Sequence, residues 1–169
     1  MARVQFGWNA PVIGVPESGG QPIVIQELEH VLPVVAQHFD TVWTPDHFYG
    51  FDRIDDPYLE CWTTLTWLAA TFPQIKVGGL VLCNNYRHPT LLAHMGKTLQ
   101  AFSGGRFILG IGAGWRADEY ARHGLPFESP ATRIRQLDEA IRLIRSMWTQ
   151  PRTTFAGTYY QTRDLPCEP

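Results

Sequence analysis

Four short apolar runs, each followed by a stretch whose apolar residues recur at steps of three and four, leave this chain few folds to choose from. The runs are Val4 to Trp8, Thr41 to Thr44, Lys76 to Cys83 and Arg106 to Gly112. Strands alternating with helices imply right-handed crossovers and a parallel sheet. Two α/β architectures satisfy that pattern. One is an open doubly wound sheet, and the other is a (β/α)8 barrel, which needs eight units and typically about 250 residues. In the second case 169 residues hold about the first four units.

The helical stretches carry their own start and stop signals. After a Gly/Pro loop (Pro11 to Pro22), Ile25, Leu28, Leu32, Val35 and Phe39 form a helical stripe, with a kink or restart expected at Pro33. Asp56-Pro57 is the expected start of the second helix, with Tyr58, Trp62, Leu65, Ala69 and Phe72 inward. The third helix starts at Pro89, buries Leu92, Met95, Leu99 and Phe102, and stops at Gly104-Gly105. A short helical segment at 117–123 precedes a long helix opened by Ser129-Pro130, whose expected stripe is Ile134, Leu137, Ile141, Ile144 and Trp148. Asp138 and Arg142 stand at the favourable i,i+4 spacing on its outer face. A hairpin with a two-residue turn at Ala156-Gly157 is expected last.

No linker or low-complexity tract interrupts residues 1–169, which read as a single domain with 44% hydrophobic residues. A net charge of −2 offers no basic field for nucleic acid or anionic lipid. Three widely spaced cysteines, Cys61, Cys83 and Cys167, suit neither a disulfide framework nor a zinc site, and fit a reducing cytoplasm. No apolar run reaches signal-peptide length at the N-terminus or the roughly 18 residues of a membrane span. The expected protein is therefore cytoplasmic, with no nucleic-acid or membrane partner.

Ligands of parallel α/β folds sit at the carboxyl ends of the strands. The second strand runs into Asp46-His47, a carboxylate beside an imidazole. Asp46 could cap a turn and His47 could be a satisfied loop histidine; alternatively His47 exchanges a proton with a substrate oxygen while Asp46 binds a polar ligand edge. Gly78-Gly79 in the third strand mark either a ligand face or close packing on a neighbouring strand. Gly112, Gly114 and Ala117 fit the dinucleotide pattern G-x-G-x-x-A, but after the fourth strand and without an acidic strand end about 20 residues later. Six histidines include no H-E-x-x-H, and no nucleophile elbow is present, so metal catalysis and nucleophilic hydrolysis are poorly supported.

Asp40 to Phe48 (DTVWTPDHF), Lys76 to Val81 (KVGGLV), His88-Pro89 and Phe102 to Trp115 (FSGGRFILGIGAGW) together resemble the luciferase-like monooxygenase family, in particular its coenzyme F-420-dependent branch. Asp118-Glu119-Tyr120, the long helix and the segment Phe155 to Tyr160 match in order, so the resemblance covers nearly the whole chain. It implies a TIM barrel, here its first four units, and Asp46 and His47 beside a deazaflavin or flavin ring. It further implies a non-prolyl cis peptide at Leu80-Val81 supporting the ring, with Ala113, Gly114 and Trp115 on its other side and Asp118 at the cofactor's side chain. Some deazaflavin relatives have an acidic glutamate where Trp115 stands, so that role is vacant here or moves elsewhere.

The family runs two chemistries. With coenzyme F-420, the cofactor this resemblance favours, a hydride passes between a substrate carbon and the ring while His47 handles the alcohol proton; with FMN, the alternative, oxygen is activated to oxygenate a small organic substrate. A different reading has the chain as a non-catalytic half-barrel or an oligomerising fragment, because open strand edges and an uncovered apolar face invite self-association. A homo-oligomer is expected in either case, and the substrate is not encoded in these motifs.

Overall fold

The structure, a computed structural model, describes residues 4–14 and 23–169. These fall into two compact units: Met1–Leu82 with Phe102–Gly110, and Cys83–Ala101 with Ile111–Pro169.

The first unit is built on four parallel strands, β1 (Gly7–Asn9), β2 (Thr41–Thr44), β3 (Lys76–Gly79) and, later in the chain, Phe107–Ile108. They lie side by side in chain order, with Gly7 opposite Thr41, Thr41 opposite Lys76 and Val77 opposite Phe107. That order contains no reversal, unlike a doubly wound sheet, in which the first strand lies in the middle. Helix α1 (Ile23–His38) follows β1 and buries Val24, Leu28, Leu32 and Val35. The helix does not restart at Pro33: it is continuous from Ile23 to His38, with Pro33 on its exposed face. The Gly/Pro loop expected at 11–22 lies outside the described residues from position 15 onward.

Helix α2 (Cys61–Thr71) starts four residues later than Asp56-Pro57 suggests. The segment before it is extended instead, because the Leu59 N–H donates to the Val12 carbonyl (2.9 Å) and the Gly14 N–H to that of Pro57 (2.8 Å). Glu60 then caps the helix, its carboxylate accepting from the N–H groups of Trp62 (3.1 Å) and Thr63 (2.7 Å). Leu65, Ala69 and Phe72 are buried as expected, joined by Cys61 and Leu68, while Tyr58 precedes the helix. The third apolar run is broken after β3 by a cis peptide between Leu80 and Val81, then resumes as β4 (Leu82–Cys83). Packing accounts for the strand's first glycine: a Cβ on Gly78 would lie 2.5 Å from the Trp43 ring and 2.9 Å from the Ile108 carbonyl oxygen.

The second unit contains the 3-10 turn Asn84–Tyr86, most of α3 (Pro89–Phe102), the strand Ile111–Gly112, α4 (Ala117–Arg122) and α5 (Pro130–Thr149). Leu92 and Leu99 of α3 are buried, but Phe102, expected inward, ends the helix 77% exposed. Ser129 caps α5 by accepting from the Thr132 N–H (3.2 Å). The buried face of α5 is Arg133, Glu139, Ala140, Leu143, Ile144 and Met147, rotated from the expected stripe: Ile134 and Ile141 are exposed. Two charged residues occupy that inner face because each binds backbone groups there. Asp138 and Arg142 form the expected ion pair on the outside (3.1 Å).

The final hairpin pairs β5 (Thr153–Ala156) with β6 (Gln161–Leu165), antiparallel. Its connection is four residues, 157–160, rather than two, because the buried carboxylate of Glu139 accepts from the N–H groups of Thr158, Tyr159 and Tyr160 (2.8, 2.9 and 3.3 Å).

Candidate functional site

In the first unit the sequence-predicted residues gather at the carboxyl ends of β2 and β3. The Thr44 carbonyl accepts from the Leu80 N–H (2.8 Å), which ties the two strand ends together just before Asp46-His47 and at the cis step. The Thr44 hydroxyl lies 3.1 Å from the Cys61 sulfur, so the first turn of α2 is fastened to the same point. Asp46 is buried, and His47 is half-buried with its ring edge-on to Phe51 at 5.2 Å. An imidazole can take up or release a proton at either ring nitrogen.

Leu80 and Val81 expose 53% and 44% of their surface although Leu82 beside them is fully buried. A short apolar step is thus left uncovered at the strand ends, with an acid/base group in the loop that follows the neighbouring strand. Phe51 (57% exposed) adds a further apolar surface next to His47, and the sequence reading did not single it out.

In the second unit Ala113, Gly114 and Trp115 form a loop between the strand at Ile111–Gly112 and α4. Trp115 is 64% exposed. Asp118 is half-exposed, its carboxylate accepting from the Arg116 Nε at 3.2 Å. Beneath the loop lies a buried polar group that sequence reasoning missed. The Tyr86 hydroxyl donates to the Glu119 carboxylate (2.5 Å), which also accepts from Arg116 (3.4 Å), and the Tyr120 hydroxyl lies 3.0 Å from the Cys83 sulfur. Burial, and then the Glu119 carboxylate, push the Tyr86 phenol far above its ordinary range; burial and the Cys83 contact do the same for Tyr120. Both phenols stay neutral and able to donate. Only Glu119-Tyr120, within the matched acidic motif, carried any sequence signal, because no spacing rule connects Cys83 or Tyr86 to this loop.

Among the described residues no group of three or more His, Cys, Asp or Glu could hold a metal ion, and no helix is long and apolar enough to cross a membrane.

Residues 6–169 match the family model described as luciferase-like monooxygenase. The chain is 36% identical over 129 residues to an F-420-dependent glucose-6-phosphate dehydrogenase of Kineococcus radiotolerans, covering 76% of this chain and 38% of that protein. It is 34% identical over 154 residues to an F-420-dependent hydroxymycolic acid dehydrogenase of Mycobacterium tuberculosis, covering 90% of this chain and 42% of that one. The chain thus spans less than half the length of either relative. Among solved structures, an F-420-dependent secondary alcohol dehydrogenase in complex with an F-420–acetone adduct superposes with a TM-score of 0.83 at 21% identity, over 98% of this chain and 48% of that one.

Proposed function

Because the chain belongs to the luciferase-like monooxygenase family, we propose that it carries part of the active site of a coenzyme F-420-dependent oxidoreductase, with His47 as the group that moves the substrate's proton. In this reading the parallel strands are the first four of an eight-stranded barrel, and residues 1–169 belong to one domain of it. Support for the cofactor comes from relatives above 30% identity that are named for it.

The observation that carries the reading is the pairing of His47 with the exposed Leu80-Val81 step across two strand ends joined at 2.8 Å. A planar ring system needs an apolar surface to rest on and a proton-handling group at its reacting edge, and the first unit offers both. When bound, the coenzyme supplies a ring carbon that accepts or returns a hydride. Leu80 and Val81 hold the ring in place and keep water from its covered face. As the hydride leaves the substrate carbon, His47 takes the proton of the hydroxyl and a carbonyl results; in reverse, His47 returns that proton. Asp46 binds a polar edge of the cofactor. Ala113, Gly114, Trp115 and Asp118 of the second unit are proposed as further cofactor-contacting residues on the strength of the family match. Trp115 has no acidic proton, so no carboxylic acid acts from that position.

His47→Gln keeps the size of the side chain but removes its base. With F-420 and a panel of alcohols that includes glucose 6-phosphate, cofactor binding should stay within about twofold while hydride transfer falls by roughly 10² or more. Undiminished transfer by that variant would remove His47 from the mechanism. The protein is further proposed to be a homo-oligomer, since Phe6 and Phe102 expose 60% and 77% of their surface; sedimentation at several concentrations reads its assembly state.

A further inference from the structure

The loop that carries Trp115 is gripped at one residue from two directions. Gly114 has φ +75°, and the position a Cβ would occupy there is filled by the Tyr120 hydroxyl (2.1 Å) and the Cys83 sulfur (2.8 Å). Its carbonyl oxygen accepts from the Nε of Arg133 at 3.3 Å. Arg133 is a buried cation on the inner face of α5, where the apolar pattern calls for an aliphatic residue. A buried guanidinium is costly unless its donors are matched. Here one terminal nitrogen donates to the Glu128 carbonyl and the plane lies 4.0 Å from the centre of the Phe127 ring. Phe127 in turn packs edge-on against Tyr120 at 4.9 Å, so both grips on Gly114 belong to one assembly.

We propose that Arg133 and Tyr120 are positioning residues that fix the Gly114–Trp115 peptide so that the loop presents Trp115 in one orientation to the cofactor. The peptide is planar and trans, so holding the Gly114 carbonyl on Arg133 sets the direction of the whole unit, including where the Trp115 chain departs. The phenol blocks the backbone from sliding inward, and the guanidinium prevents it from rotating outward. Neither side chain touches the reacting atoms. Their effect passes through Gly114, and pre-arranging a binding loop improves affinity by removing the entropy lost when a ligand must order it.

The inference rests on the proposed cofactor site for its consequence, but its structural half can be read without any cofactor. Three variants separate the contributions. Tyr120→Phe keeps the ring against Phe127 and removes only the hydroxyl; Arg133→Met keeps the stem and removes the donors; Arg133→Lys keeps charge and one donor. In the ligand-free protein, amide hydrogen exchange over residues 112–116 should accelerate roughly five- to tenfold in Tyr120→Phe and Arg133→Met, about the weight of one hydrogen bond, and less in Arg133→Lys. Exchange in the core of α5 should not change, which separates loss of positioning from loss of folding. With F-420 added, the same variants should raise Kd by a similar factor, while the hydride-transfer rate at saturating cofactor stays near that of the parent. Parent-like exchange at 112–116 in both Tyr120→Phe and Arg133→Met overturns the proposal. Faster exchange in these variants of a parent protein that binds no F-420 would leave the grip in place and remove the cofactor reading.

Discussion

A methyl group at Gly114 would sit in the left-handed backbone region and overlap the Tyr120 hydroxyl, whereas one at Gly124 (φ +67°) meets nothing within 4 Å. Gly124→Ala should therefore cost about 1–2 kcal/mol, the ordinary penalty of that backbone region. Gly114→Ala should cost at least about 2 kcal/mol more, because a buried phenol must move. Chemical denaturation of the two variants side by side reads the difference; equal losses would mean the phenol yields freely. At this scale Asp46-His47 stood out in the sequence by its place after a strand, and the cis step at Leu80-Val81 was implied by the family resemblance. The sequence concealed Arg133, Tyr86 and Cys83, whose roles depend on contacts made across long separations.

Arg106 shows what one side chain does for an element. Its guanidinium donates to the carbonyls of Ala69 (2.8 Å), Phe72 (3.2 Å) and Ile75 (2.5 Å), groups that the end of α2 and the following turn leave without helical partners. Arg106→Met should lower the unfolding free energy by about 2–3 kcal/mol, and Arg106→Lys by less, as measured by urea denaturation. The last hairpin depends on Glu139 in a way that pH can test. Burial alone would raise its pKa, but the N–H groups of Tyr159, Thr158 and Tyr160, with Arg142 nearby, outweigh burial and hold it below the ordinary carboxylate value. Its stabilisation is thus complete above that value and drains away as pH falls through the lowered native one. Amide exchange at residues 158–160 should quicken on acidification below the usual carboxylate range, and Glu139→Gln should show fast exchange at neutral pH.

Arg133 and Glu139 explain how far the elements were legible. The starts of α3 and α5 followed from proline and capping signals that act locally. The face of α5 did not, because apolar periodicity assigns charged residues outward, and Arg133 and Glu139 are inward with backbone partners. The start of α2 was misplaced for a similar reason, since the Val12–Gly14 backbone captures Leu59 and Pro57 in an extended pairing.

For the molecule as a whole, three phenols make the second unit sensitive to alkali. Burial raises the pKa of Tyr86, Tyr120 and Tyr160, aided by the Glu119 carboxylate, the Cys83 contact and the Glu139 charge respectively. A raised native pKa contributes stability that is intact below the unfolded phenol value of 10.0 and is lost as pH rises beyond it toward the native values. Unfolding free energy should accordingly hold from neutral pH to near 10 and decline above it, with phenolate absorbance of these residues appearing only on unfolding.

A chain with His47 near the uncovered Leu80-Val81 step is proposed to serve a deazaflavin. The most direct test is a titration of the protein with coenzyme F-420 and, separately, with FMN, following the fluorescence of its six tryptophans. Saturable quenching by F-420, weakened by Leu80→Asp and unchanged by His47→Gln, is the predicted result. Binding of FMN in preference to F-420, or of neither, would contradict it.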